Sequence, residues 1–357
     1  MVRLMSADRL SAPTSFEELM TPRDSSDNSD VFLVVSVDTE EDNWTPTHKK
    51  ITVENVREIP RLDRFFEHLG IRPTYFVAYQ VLASPRASAT LQDIASRSRT
   101  EYAAHLHPWN TPPVEELSSG NDTMLANLPK RVQLAKLAVV TEAYEDVFGA
   151  SPTSFRAGRF GLGSETVSAL LECGYRVDSS VTPFTSWKDF DDGPDFVGAP
   201  LAVYRIGKGI DVRVATPNGP VIEVPISAGY TRFHASQWPD LHRILDRPGS
   251  RALRVRGLLS RLGVVHRAIL SPEIESVENM LALSSRLLDS GNRHLHMFMH
   301  SPSLVPGLTP FTTRKAAVDH LYGSIENYLD GLSRVATVQF ATVSEAASLC
   351  CPAPNPR

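Results

Sequence analysis

Three cysteines in 357 residues, Cys173, Cys350 and Cys351, are an odd number, and two of them are sequence neighbours, a pairing that disulfide geometry disfavours; no disulfide framework is expected. No window reaches the roughly eighteen consecutive apolar residues of a membrane-spanning helix. The opening, MVRLMSADRLSAPTSFEELM, has no uninterrupted apolar run after its basic residues, so a secretory leader is not read from it and a cytoplasmic location is the expectation. An excess of positive charge is also missing. With 36 Lys and Arg against 41 Asp and Glu the net charge is -5, which argues against nucleic acid or another polyanion as partner. No internal repeat is visible. What is present is a hydrophobic fraction of 42% over a length compatible with one large α/β domain, since a single core keeps growing to roughly 250 to 300 residues.

Residues 1–30 end in the polar run Asp24-Ser25-Ser26-Asp27-Asn28-Ser29-Asp30, which cannot bury enough surface to order itself, and they are read as a tail. A single domain is expected over 31–350, with a short tail at 351–357. VFLVVSVD, from Val31, is a β-branched run suited to a strand buried on both faces. VENVREIPRLDRFFEHLG follows at helical spacing and stops at Gly70. The same order repeats: strand RPTYFVA, helix near 86–99, a short strand at 101–105, helix 123–148, strand SFRAG, helix 164–173 and strand YRVDSS. Then come strand VIEVPIS, helical stretches at 239–262 and 273–290, strand HLHMFMH, helix 313–332 and strand TVQFATV. About eight strands, each separated by helical sequence, point to a parallel sheet and, at this count, to a closed (β/α) barrel. Residues 183–220, rich in Pro, Gly and Asp, read as a long irregular excursion able to wall a site. The basic, partly amphipathic stretch from Thr231 to Arg267 is read as a solvated helix.

Residues capable of chemistry fall at the C-terminal ends of these strands, which meet on one face of a parallel barrel. Asp38, Glu40, Glu41 and Asp42 follow the first strand, and alternation points Asp38 and Glu40 the same way. His105 and His107, two apart in extended chain, likewise share a face, and two imidazoles beside a carboxylate suit Zn²⁺ or a similar divalent ion. Arg156 in SFRAGRFG can hold a carboxylate through two hydrogen bonds. His300 ends HLHMFMH, where a group titrating near neutrality can donate a proton, whereas His294 and His296 lie further from that end and are read as structural. Trp109, Phe160 and Trp187 are candidates to stack on a ring, or simply to pack. Each feature alone has an ordinary explanation as a solvated loop or a surface ion pair. Their convergence on one face is what points to a site.

SVDTEED, EYAAHLHPW, FRAGRFG and HMFMHSP, in this order over roughly residues 31–345, resemble the landmarks of the polysaccharide deacetylase family, also called the NodB-homology or carbohydrate esterase family four fold. The resemblance implies an α/β fold, a distorted (β/α) barrel of seven to eight mostly parallel strands, and a metal-dependent hydrolase that cleaves a non-peptide C–N bond, most simply by N-deacetylation of an amino sugar in a polysaccharide or its precursor. It implies Asp38 as base, Glu40, His105 and His107 as metal ligands, Arg156 as the residue orienting the base, His300 as acid, and Asp178 in YRVDSS as the carboxylate tuning that histidine. The implied cofactor is one divalent ion, Zn²⁺ with Co²⁺ or Ni²⁺ as alternatives, and the implied partner is a carbohydrate or a small amide. The chain departs from the family pattern in having Asp38-Thr39-Glu40 for an Asp-Asp pair, histidines two rather than three or four apart, and AGRFG where a proline-aromatic pair is common. Glu41 or Asp42 in place of Glu40, and His105 without His107, therefore stay open as ligand sets. So do a non-sugar amide substrate and a catalytically inactive carbohydrate-binding relative.

Overall fold

The structure, a computed structural model, describes residues 30–47, 49–114, 120–245 and 266–351. The expected N-terminal tail up to residue 29, almost all of the C-terminal one, and residues 246–262 of the stretch expected as helix at 239–262 lie outside them. The strands are β1 (Asp30–Thr39), β2 (Thr74–Ala78), β3 (Glu101–Leu106), β4 (Ser154–Ala157), β5 (Val177–Asp178), β6 (Tyr204–Ile206), β7 (Val221–Glu223), β8 (Ala228–Tyr230), β9 (Arg267–Ile269), β10 (His294–His300) and β11 (Thr337–Ala341). Nine of them form one sheet in the order β10-β1-β2-β3-β4-β5-β7-β6, with β11 sharing an edge of β1. Every pairing in it is parallel except that of β6 with β7. The sheet curls as a distorted barrel, but its ladder is not closed. Pro225, which has no N–H to donate, ends the pairing of the expected strand VIEVPIS after Glu223, and β8 pairs with β9 in a separate antiparallel two-stranded ribbon. That ribbon spans the gap toward β10 through single bonds such as Ser227 N–H to the His296 carbonyl (3.2 Å) and Phe298 N–H to the Leu270 carbonyl (3.1 Å).

Alternation along β1 sorts the layers. Val31, Leu33, Val35 and Val37 join the large core under the helices, whereas Val34 packs with Phe76, Ala103, Val177 and Val224 in a smaller apolar cluster. Above that cluster the same face of β1 carries Ser36 and Asp38. β10 behaves likewise: Leu295, Met297 and Met299 face the helical core, and His294, His296, Phe298 and His300 alternate with them. In parallel register Asp38 stands beside His300 on one neighbour and Phe76 on the other, and His105 stands beside Arg156. The expected strand ends are therefore adjacent.

Helix boundaries follow their local chemistry. The helix Ile59–His68 has a proline in its first turn and is followed by Gly70 at φ +73°. The helix expected from 123 begins at Lys130. Pro129 holds Leu128 extended (φ -80°, ψ 147°), so the preceding residues make only short 3₁₀ turns. After β11, Thr342 and Glu345 cap one another reciprocally to start the helix Val343–Cys350, which the sequence reading passed over although Thr-x-x-Glu is its signal. The 183–220 excursion is mostly irregular and contributes β6. Among the described residues no helix is long and apolar enough to cross a membrane.

Candidate active site

Glu40, His105 and His107 are buried and bring their ligand atoms within 4.8 Å of one another. Glu40 Oε2 lies 3.4 Å from His105 Nε2 and 3.2 Å from His107 Nε2, and the two Nε2 atoms are 3.0 Å apart. The outer nitrogens determine what the inner ones can do. His105 Nδ1 donates to the Arg156 carbonyl (2.9 Å), and His107 Nδ1 donates to Glu41 Oε1 (2.8 Å). With each Nδ1 so engaged, the two rings direct their Nε2 atoms at the same small volume as a carboxylate oxygen. Three lone pairs crowded together out of water repel unless a cation or proton lies among them. Burial opposes charging His107, but Glu41 and Glu40 outweigh it and raise its pKa to about 10. Burial would raise Glu40 too, yet hydrogen bonds from the two histidines hold it well below the usual carboxylate range. This donor set fits a divalent ion, with Nδ1 partners that fix each ring's tautomer and direction.

The open alternatives for the ligand set separate in space. Glu41 Oε1 sits behind His107 and also accepts from Trp109 Nε1 (3.2 Å) and Asn110 Nδ2 (2.6 Å). Asp42 is taken up by the N–H groups of Glu54 (2.8 Å) and Asn55 (2.9 Å) and by Asn55 Nδ2 (2.7 Å). Neither faces the cluster as Glu40 does. Gly158 leaves room for this packing, since a Cβ there would stand 2.3 Å from His107 Cδ2 and 2.8 Å from the Leu106 carbonyl.

Arg156 is fully buried and its Nη1 donates to Asp38 Oδ1 at 2.5 Å. Its remaining donors are fixed: Nε to the Ser179 carbonyl (2.8 Å), Nη2 to Ser179 Oγ (3.0 Å) and to His296 Nε2 (3.2 Å). The guanidinium lies 4.1 Å from the centroid of the Phe76 ring. Because an arginine only donates, His296 Nε2 accepts and the ring is neutral, as burial and the Arg156 charge, which push its pKa well below the usual value, also require. Sequence reasoning set His296 aside with His294. His296 supports Arg156, whereas neither ring nitrogen of His294 has a hydrogen-bond partner among the described residues.

His300 Nδ1 is bonded to Glu273 Oε2 (2.8 Å), and Glu273 Oε1 accepts the His300 backbone N–H (3.1 Å). Burial disfavours the imidazolium, but the charges of Glu273, Glu40 and Asp38 prevail and raise the pKa to about 9. The family resemblance implied Asp178 for this carboxylate. Asp178 is instead held by the Ser180 N–H (2.8 Å) and hydroxyl (3.0 Å), beside Glu223 on β7. Burial and the Asp178 carboxylate push Glu223 well above its ordinary value, so this buried pair retains a proton. Glu273 lies in an irregular turn 27 residues before its partner, where no spacing rule could find it.

Asp38, Glu40, His105, His107 and His300 open on one cleft of about 250 Å³. Trp109, Phe160 and Trp187 line it, as the sequence suggested, with Trp44, Phe190 and Phe298.

No family sequence model and no curated protein sequence matches the chain. Solved structures do. A protein from Mycobacterium smegmatis described as a candidate polysaccharide deacetylase aligns with a TM-score of 0.50 and 16% identity, over 92% of this chain and 93% of that one. A candidate glycoside hydrolase/deacetylase from Parabacteroides distasonis aligns with a TM-score of 0.56 and 12% identity, over 90% of this chain and 71% of that one. At these identities the likeness concerns architecture, and in architecture the chain has the NodB-like fold of the polysaccharide deacetylases.

Proposed function

We propose that the protein is a metal-dependent hydrolase of a non-peptide amide C–N bond, and that its reaction is removal of an acetyl group from the nitrogen of an amino sugar. The observation that carries this reading is the convergence, at one cleft, of a two-histidine, one-carboxylate cluster with a carboxylate held by arginine and a histidine held by glutamate. A binding module has no use for all three.

In this reading Glu40, His105 and His107 hold the ion, Zn²⁺ by the borderline softness of the donors, with Co²⁺ and Ni²⁺ accepted by the same set. When bound, a divalent ion supplies Lewis-acid polarisation of the amide carbonyl and a lowered pKa for water. Asp38 takes the proton of the attacking water. Arg156, itself locked by Ser179 and His296, holds Asp38 aimed at the cleft. His300 delivers a proton to the departing nitrogen, and Glu273 both orients the ring and keeps it charged at neutral pH. Without that proton an amine is a poor leaving group. Asp178 serves at one remove, as a buried negative charge near Arg156.

The test is elemental analysis of purified wild type and His105→Ala, followed by assay of acetate release from N-acetylglucosamine oligomers. About one zinc, cobalt or nickel per chain, lost in the variant together with acetate release, supports the reading. Absence of metal from both proteins after reconstitution sinks it and favours the inactive binding protein.

A further inference from the structure

The walls of the cleft bear on what sits beside the amide. Apart from the five groups assigned above to chemistry, the polar side chains lining it are Asn43 and Arg159; the others are carbon-rich. Arg159 is already engaged: it pairs with Asp191, donates to Thr123 Oγ1 (2.9 Å), and lies between the rings of Trp109 (5.2 Å) and Phe190 (4.7 Å). Large apolar side chains are left in water at the mouth, with Trp44 41% exposed, Phe190 46% and Ile274 48%. Two consecutive residues, Arg159 (φ 54°) and Phe160 (φ 58°), adopt a left-handed backbone that side chains disfavour. The result is a Phe160 ring stacked on Trp187 (5.6 Å, 21°) and edge-on to Phe298. His300 in turn has Trp44 (5.3 Å) and Phe298 (5.6 Å) edge-on to it.

A hydroxyl brought out of water needs a partner for each of its hydrogen bonds, and this wall offers few. A flat hydrocarbon surface needs none. We infer that the substrate carries an apolar, ring-sized group adjoining the scissile amide, and that the aromatic wall formed by Trp44, Phe160, Trp187 and Phe190 is its subsite. Two sources share this chemistry: an N-acylated sugar with an apolar aglycone, and an aryl amide with no sugar. The inference rests on the hydrolase reading for the position of the amide, but binding at the wall can be measured without turnover.

Three of the four tryptophans, Trp44, Trp109 and Trp187, line the cleft and the fourth, Trp238, is fully buried, so intrinsic fluorescence reports occupancy. Titrations of wild type and His105→Ala would compare the phenyl β-glycoside of N-acetylglucosamine, its methyl β-glycoside, the N-acetylated chitin trisaccharide and acetanilide. The phenyl glycoside is expected to bind about tenfold or more tighter than the methyl glycoside in both proteins, and Trp44→Ala or Phe190→Ala to cut that preference to about threefold or less. Acetanilide binding as tightly as the phenyl glycoside assigns the aryl-amide source, and weaker binding assigns the apolar aglycone. Methyl glycoside or trisaccharide binding as well as the phenyl glycoside, or no binding of either aromatic ligand, overturns the inference. Aromatic preference without metal or hydrolysis sustains it and sinks the hydrolase reading alone.

Discussion

Replacing Glu273 by Gln keeps the size of the side chain and an oxygen for His300 to bond, and removes one charge. That charge and its hydrogen bond are the main reasons the His300 pKa stands at about 9 in spite of burial. Without that charge the value should fall toward the ordinary ~6.5. At pH 8 a group with a pKa of about 9 is roughly nine-tenths protonated, and one near ~6.5 only about 3%, so the population able to donate drops by up to about 30-fold. Below about pH 6 both proteins hold the proton and the rates should converge. The alkaline limb of kcat for an aryl-amide or N-acetyl sugar substrate, read beside the imidazole titration by ¹⁵N NMR, tests this. A limb that stays near pH 9 in Glu273→Gln, or a loss of rate equal at every pH, would refute the assignment of His300 as a Glu273-tuned acid.

Other perturbations reach the supports of the site. Arg156→Met should lower stability by about 3 to 5 kcal/mol, because it leaves Asp38 and the Asp178–Glu223 pair buried without their cation; urea unfolding would measure it. Glu41→Gln should weaken metal affinity about 10- to 100-fold while leaving the three ligands in place, as competition with a chelator would show. Gly158→Ala should drive the His107 ring out of register, with a cost of about 1 to 3 kcal/mol and a loss of metal affinity, read by unfolding and elemental analysis. Glu223 has a folded pKa raised above its unfolded value, so the stability linked to its proton is complete below the unfolded pKa of ~4.3 and is lost as pH rises through the folded one. Glu223→Gln cannot ionise, and its urea midpoint should gain on that of wild type as pH rises above that unfolded value.

The alternation of apolar runs with helical spacing made the parallel sheet legible, and residues of like parity at strand ends made Asp38, Glu40, His105, Arg156 and His300 legible as a group. Register in a sheet acts across neighbours as well as along a strand, so adjacency of Asp38 with His300 and of His105 with Arg156 followed once strand order was right. What stayed hidden depended on turns. The polar run after β1 did not announce that Glu41 would reach the far side of His107 or that Asp42 would reach back to Asn55. Nor did burial of His296 in an apolar strand distinguish it from His294, since only the reach of Arg156 does so. The gap in the ladder had a visible cause in Pro225, but the identity of the segment filling it did not.

That segment ties two properties together. The turn after β9 carries Glu273, which sets the proton affinity of His300, next in sequence to Ile274 on the cleft wall, with Ile269 at the end of the strand. In the proposed mechanism, a change that reshapes the pocket here for a different substrate also moves the carboxylate on which the acid depends. Selectivity and working pH are thus inherited as one trait, and variants recruited to a new amide through this turn should shift their alkaline limit at the same time.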